Sequence, residues 1–368
     1  MQRERQFLVS LVMGLISLWS MSSDAHGCTS VLVPTQDGGY VYGRTLEFAF
    51  SLDSDVIVIP RGYRLQGTGP DGKAGSGLSY NAKYAVVGLN GLKLPIVVDG
   101  VNEKGLTAGA LYLPGFSLYQ ETSPSDAKSS VASYEALTYI LTNFASVDEV
   151  KSGLSKIKVN RSEHPVFKGV VPLHFTVHDA SGKSVVVEYI GGDLQVTDNP
   201  THVMTNGPEF GWHLRNLGMY SNISAAPLTP IAINGATYEA PSTGANMVGL
   251  PGDMSAPGRF IRAAFFARSA PVAKNGDEGV KTVLHIMNNF DIPPGAITTS
   301  AKAAAGGGID GYEITEWTSA VDVKNKVLYV RTYDNQQIRK VSLGAMQLDA
   351  KEIKYLSLDQ PEQVVDLK

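Results

Sequence analysis

The sequence has almost no cysteine: one in 368 residues, Cys28. That excludes an internal disulfide and leaves a thiolate metal cluster without ligands. Charge is also sparse, at 18% of residues with a net of -4, and no Lys/Arg run of nucleic-acid type occurs. Long apolar runs are missing after the N-terminal segment, so no later stretch is long enough to cross a bilayer. Hydrophobic residues still make up 43%, which suits a sizeable core and not a disordered chain. The 38 glycines and 19 prolines point to many turns and a strand-rich fold.

The one apolar run, Phe7 to Ser20, follows the charged head Arg3-Glu4-Arg5. It has the length of a signal peptide and is too short for a membrane span. Ala25 and Gly27 put small residues three and one before a cut at Cys28. The expected organisation is residues 1–27 removed as a signal peptide and residues 28–368 kept as one domain, periplasmic or secreted. A rival reading makes Cys28 the acylated residue of a bacterial lipoprotein. Ser22-Ser23-Asp24 stands between the apolar run and the cysteine, which weighs against it.

After Cys28 the pattern alternates. Thr29–Pro34 reads as a strand, Gln36–Gly39 as a turn and Tyr40–Leu46 as the returning strand, which brings Arg44 back toward Cys28. Further strands are expected at Val56–Pro60, Tyr84–Gly88, Pro95–Asp99, Leu106–Tyr112, Leu173–Asp179, Ser184–Tyr189, Lys326–Tyr333 and Ile338–Leu343. Helices are expected at Val131–Asn143, Val147–Ile157 behind the Ser146/Glu149 capping box, Pro257–Arg268 and Asp277–Phe290. Antiparallel strands with helices between them indicate an α+β fold.

A free cysteine is commonly a small buried hydrophobe. The expected cut gives Cys28 a second meaning. As residue one it carries a thiol nucleophile and an α-amine, whose usual pKa of about 7.7–8.0 suits a base near neutrality. Arg44 near the sulfur would favour the thiolate. Glu47, three residues on, has two options: an ion pair with Arg44, or a hydrogen bond to the α-amine. Other signals are weaker. Gly306–Gly311 fits a G-x-G-x-x-G spacing without the strand and helix it needs, so it reads as a loop. His174 and His178 lack a third ligand and read as structural. His213, beside Trp212, reads as packing. No metal or cofactor is expected.

Several blocks, taken in order, resemble one family. They are Cys28-Thr29-Ser30, Tyr42–Glu47, Asp99–Leu106, Tyr112–Gly115, Met204–Phe210 with Leu214–Leu217, Leu250–Asp253 with Ser255–Phe260, and Arg331–Asp334. The sequence is similar to the choloylglycine hydrolases, the N-terminal nucleophile amidases that include bile salt hydrolases and penicillin V acylases. The resemblance implies a four-layer αββα sandwich of two antiparallel sheets, hydrolysis of a non-peptide amide, and a Gram-negative exported member. It implies Cys28 as nucleophile with its amine as base, Arg44 against the thiolate, Asn206 and Tyr112 at the oxyanion hole, and Arg259 as a second arginine near the nucleophile. The family's Arg-x-x-Asp motif holds the amine through its aspartate. Here that position is Glu47, one methylene longer.

Phe48, Phe50, Leu113, Phe116 and Leu118 are expected to form an apolar acyl pocket. The expected partner is a small-molecule amide, with conjugated bile salts and penicillin V as the leading pair. An acyl-homoserine lactone is the alternative substrate. A non-catalytic lipid-anchored envelope protein is the alternative function. No nucleic acid or stable membrane span is expected, and the resemblance suggests a homotetramer.

Overall fold

β1 (Cys28–Pro34) and β2 (Tyr40–Phe48) form the hairpin expected from Cys28 onward. The Thr35 N–H donates to the Gly39 carbonyl at 2.9 Å, and Gly38 takes φ 77°, a conformation that favours glycine. The register pairs Cys28 with Leu46 and Ser30 with Arg44. Side chains alternate along a strand, so Cys28, Arg44 and Leu46 share one face. Thr29, Thr45 and Glu47 share the other.

The computed structural model describes residues 27–298 and 312–367. The expected targeting segment up to residue 26 and the Gly306–Gly311 loop lie outside the described residues. Two large sheets carry the fold. The first runs in the order 203–204, β1, β2, 314–322, 327–332, 339–342, and the second in the order 193–198, 184–190, 173–178, 107–112, 99–102, 86–89, 56–59, 354–356. All neighbouring pairs in both are antiparallel.

Helices cover the outer faces. α1 (Ala136–Asn143) and α2 (Val147–Gly153) contribute Leu137, Leu141 and Val150 to the core under the second sheet. α3 (Phe210–Leu217), α4 (Ala256–Ser269) and α5 (Gly276–Met287) pack their apolar residues into the core that includes the first sheet. Leu32 and Tyr42 meet Val87, Val101 and Leu111 between the sheets. The result is the αββα sandwich expected from the sequence. Among the described residues no helix is long and apolar enough to cross a membrane.

Three local expectations change. The strand expected at Pro95–Asp99 lies at Asp99–Asn102, since Pro95 lacks an N–H for the ladder. The helix expected from Val131 starts at Ala136. A short strand, Ser130–Ala132, and a 3₁₀ turn precede it, and the Glu135 carboxylate accepts the Ala132 N–H at 2.8 Å. The strand Ile314–Asp322 has no counterpart in the sequence reading. It is central and paired along β2, and it buries Thr315, Thr318, Ser319 and Asp322, so its inward polar residues hide the usual apolar alternation.

Candidate active site

Cys28 is the first residue of β1 and is 3% exposed. The diagonal neighbour across the hairpin is Arg44, and its Nη2 lies 3.5 Å from Cys28 Sγ. The guanidinium is fixed on several sides. Nη1 donates to the Val98 carbonyl at 2.7 Å, Nη2 donates to the Ala110 carbonyl, and the group sits 5.2 Å above the Trp317 ring. Asp99 completes the set, 3.6 Å from Nη1, and accepts from Tyr42 Oη at 2.8 Å and Ser319 Oγ at 2.6 Å. Burial alone would lower the Arg44 guanidinium, but the Cys28 sulfur and the Asp99 carboxylate outweigh it and hold it above its usual value. Burial also lifts Asp99, against Arg44, Ser319 and Tyr42. Gly109 leaves room for this network. A Cβ there would overlap Tyr42 Oη and lie 2.9 Å from Asp99 Oδ1.

Glu47 does not pair with Arg44. The odd spacing puts the two side chains on opposite faces of β2. Glu47 lies beside Gly27 instead, and its backbone N–H donates to the Gly27 carbonyl at 2.8 Å. Thr315 Oγ1 donates to Glu47 Oε1 at 3.3 Å, while Oε2 is buried without a partner. Glu313 reaches the same place from the start of the 314–322 strand and accepts the Gly27 N–H. Burial, opposed by Arg259, pushes Glu47 up to about 8 and Glu313 up to about 7.

Arg259, on the first turns of α4, ties this face to β1. Its Nη1 donates to the Cys28 carbonyl at 2.6 Å and to Thr29 Oγ1 at 2.8 Å, and Nη2 donates to Asn206 Oδ1 at 2.8 Å. That same oxygen accepts the Cys28 backbone N–H at 2.7 Å. Asn206 Nδ2 donates to the Tyr112 carbonyl at 2.8 Å, and the amide has a second proton on that nitrogen. The Asn206 backbone is held by His213, whose Nε2 donates to its carbonyl at 2.9 Å while the ring stacks on Phe260 at 4.7 Å. Burial pulls His213 down to about 4, so the ring is neutral and can hold this tautomer.

The structure brings Cys28, Arg44, Tyr112, Asn206 and Arg259 together, with Glu47 on the reverse face of the sheet. It divides the expected acyl pocket. A narrow cavity of about 80 Å³ runs from Cys28 and Arg44 past Phe48, Tyr112, Tyr134 and Phe167. Phe50 does not line it and packs against Phe48 and Phe167 from behind, at 4.8 and 5.5 Å between ring centres. Leu113 is fully buried and points toward Gly207. The turn at Gly115, φ 81°, then carries the chain away. Phe116 comes to line a second opening of about 300 Å³ with Gly27, Asn206, Arg259 and Glu313, while Leu118 is exposed. A larger cavity of about 600 Å³ lies under α3 and α4 and contains none of these residues.

Sequence reasoning missed Asp99, His213 and Glu313 as parts of this site. Asp99 stands in a quoted block without a role, and His213 follows Asn206 by seven residues. Glu313 carries no motif at all. His174 and His178 are core residues, held by Glu188 at 3.1 Å and by Thr176 and Ser184 at 2.9 and 2.7 Å. Among the described residues no group of three or more His, Cys, Asp or Glu side chains is placed to hold a metal.

Comparison with known proteins finds relatives over most of the chain. The family model for linear amide C-N hydrolases, choloylglycine hydrolase family, matches residues 28–356. The chain is similar to a bile salt hydrolase/transferase of Clostridium perfringens, 31% identical over 333 residues, 89% of this chain and 95% of that protein. It is also similar to a penicillin V acylase of Pectobacterium atrosepticum, 27% identical over 334 residues, 85% of this chain and 80% of that one. Among solved structures, a variant of the conjugated bile acid hydrolase from Clostridium perfringens superposes with a TM-score of 0.79 at 28% identity, covering 93% of this chain and all of that one.

Proposed function

Because the chain belongs to the choloylglycine hydrolase family of linear amide C-N hydrolases, we propose that it cleaves an N-acyl amide through a thioester on Cys28, after export and removal of residues 1–27. The observation that carries this reading is a convergence on one residue. Arg44 reaches the sulfur of Cys28, Asn206 reaches its nitrogen, and an apolar cavity opens at the sulfur.

The chemistry follows from those contacts. Arg44 stabilises negative charge on sulfur as the α-amine takes the thiol proton. The sulfur attacks the amide carbon, and charge develops on the carbonyl oxygen. The second Nδ2 proton of Asn206, with donors around Tyr112, stabilises that oxyanion. One such donor contributes about 3 kcal/mol. The C–N bond then breaks and the α-ammonium protonates the leaving amine. Water, deprotonated by the same α-amine, attacks the thioester and releases the acid and the thiol. Arg259 and Asp99 act by positioning: one fixes the Cys28 carbonyl and Asn206, the other fixes Arg44.

The cavity argues for a slim acyl group. Pockets for drug-sized ligands run to about 300–1,000 Å³, well above the 80 Å³ beside Cys28. Aromatic walls at Phe48, Tyr112, Tyr134 and Phe167 suit a flat aryloxyacetyl group such as that of penicillin V. A bile salt is the second reading, favoured by the 31% identity to a bile salt hydrolase/transferase. An oligomer fits the apolar residues Ile231, Ile233 and Tyr238, exposed on the hairpin formed by residues 231–238.

The test is a rate panel on penicillin V, glycocholate, taurocholate and an acyl-homoserine lactone, with the N-terminal mass measured on the same sample. The reading expects a free Cys28 terminus and the highest kcat/KM on penicillin V. A bile salt turned over faster would reverse the acyl assignment. A diacylglyceryl adduct on Cys28, or a terminus elsewhere, would overturn the mechanism.

A further inference from the structure

Residue 27 passes between two glutamates. Its N–H donates to Glu313 Oε1, and its carbonyl accepts the Glu47 N–H at 2.8 Å. A Cβ added at Gly27 would lie 3.0 Å from Glu313 Oε1, 3.2 Å from Ile292 Cδ1 and 3.3 Å from the Glu47 Cβ. Both carboxyls are fully buried, and the second oxygen of each has no hydrogen-bond partner. Buried polar atoms are rarely left so, and two at one place need a physical reason.

The uncut chain explains why they are tolerated. Arg259 is the nearby cation that lowers both groups, and Arg44 acts on Glu47 from the far face of the sheet. Burial raises both carboxyls and the charge of Glu313 raises Glu47 further, which favours their protonated forms. Hydrolysis of the 27–28 amide changes the balance. Water adds across the bond, Gly27 leaves with a carboxylate, and the Cys28 nitrogen becomes an ammonium. Glu313 loses its hydrogen-bond donor, and a positive charge appears one residue away.

We propose that Glu313 is a positioning residue which, together with Glu47, receives the Cys28 ammonium once Gly27 has gone. The donor count agrees. An ammonium has three N–H bonds; Asn206 Oδ1 already accepts from the Cys28 nitrogen at 2.7 Å, and the two glutamates border Gly27, the residue bonded to that nitrogen. The charges agree as well, with two carboxylates against Arg259 and the ammonium. Glu313 thereby shares with Glu47 the task of holding the amine over the sulfur, and both favour its protonated form. The same pair leaves little room for a side chain at the residue before the cut.

This inference rests on the reading of Cys28 as the amine-bearing terminus, so native protein is first checked by N-terminal mass. A terminus other than Cys28 removes that reading before any variant is compared. The pH profile of kcat/KM on penicillin V, or on the fastest substrate of the panel, is then measured for native, Glu313→Gln and Glu313→Asp proteins. The limb that reports the amine should move toward acid in Glu313→Gln by about one pH unit, the scale of one lost charge partner. Glu313→Asp should restore most of it. Should Glu313→Gln stay uncut, Glu313→Asp against native decides alone, with a smaller shift in the same direction. Profiles of unchanged shape, scaled only in height, would overturn the proposal, because a purely structural role changes the amount of active enzyme and not its titration.

Discussion

The two faces of β2 next to Cys28 are built on opposite principles. On the sulfur face, Arg44 is tied to two carbonyls, an aromatic ring and Asp99, and Asp99 is tied to Tyr42 and Ser319. On the nitrogen face, Glu47 and Glu313 each keep a buried oxygen without a partner. The first face is complete before any cut. The second is arranged around a residue that the proposed maturation removes. In the proposed mechanism the group that holds charge during the reaction is fixed in advance, and the carboxyls that accept the new charge each keep one oxygen unbonded until it appears.

The strongest way to break the comparison is to remove its centre. Cys28→Ala should abolish amide hydrolysis, with kcat/KM falling at least about 10⁴-fold, because no other group in the cavity supplies the nucleophile. Retained turnover on the substrate panel would refute the mechanism.

Asp99→Asn probes the sulfur face alone. It leaves the buried Arg44 without its ion-pair partner and should lower stability by about 3 kcal/mol in chemical denaturation. The N-terminal cut should be unaffected. A neutral outcome would mean that the two carbonyls suffice to hold the guanidinium.

The nitrogen face should show itself in pH dependence. In the folded, uncut chain Glu47 and Glu313 have raised pKa values, at about 8 and about 7. The folded state therefore binds protons that the unfolded state has released. That stability is fully present below about 4.5, the ordinary glutamate value, and is lost as pH rises through about 7 and about 8. Protein retaining Gly27 should be less stable at about pH 8 than at about pH 5, by several kcal/mol, and the cut protein should show a flatter profile. Equal slopes for the two forms would remove the distinction between the faces.

The smallest effects concern the cavity. Phe167→Ala should raise KM on the preferred amide several-fold by opening the aryl wall. Leu118→Ser, on an exposed side chain outside the cavity, should leave kcat/KM unchanged and stability within about 0.5 kcal/mol. A loss with Leu118→Ser would show that the acyl group follows the exposed 116–118 segment instead.

The residues readable from the sequence are those whose meaning is local. Cys28 is marked by the small residues before it, and Arg44 by a hairpin short enough for its register to follow from the turn. Asn206 and Arg259 stand in recognisable blocks. Leu113, Phe116 and Leu118 lie outside the cavity beside Cys28, because an apolar residue next to Tyr112 in sequence need not share its face. Gly115 turns that chain out of the cavity. Glu47 was open to two partners on paper, and strand alternation leaves it one side of the sheet.

The sequence by itself determined the α+β class through its periodicity, and through its short blocks the family resemblance that implies the αββα sandwich; it also singled out Cys28 as the one cysteine. Only the tertiary structure decided what stands around Cys28. Asp99 reaches Arg44 across the gap between two sheets, His213 reaches Asn206 from a helix, and Glu313 reaches residue 27 across 286 positions of chain. The physical reason is burial of charge. A carboxylate or guanidinium can be held in the interior only by partners that converge in space, and convergence between distant strands leaves no trace in spacing along the chain.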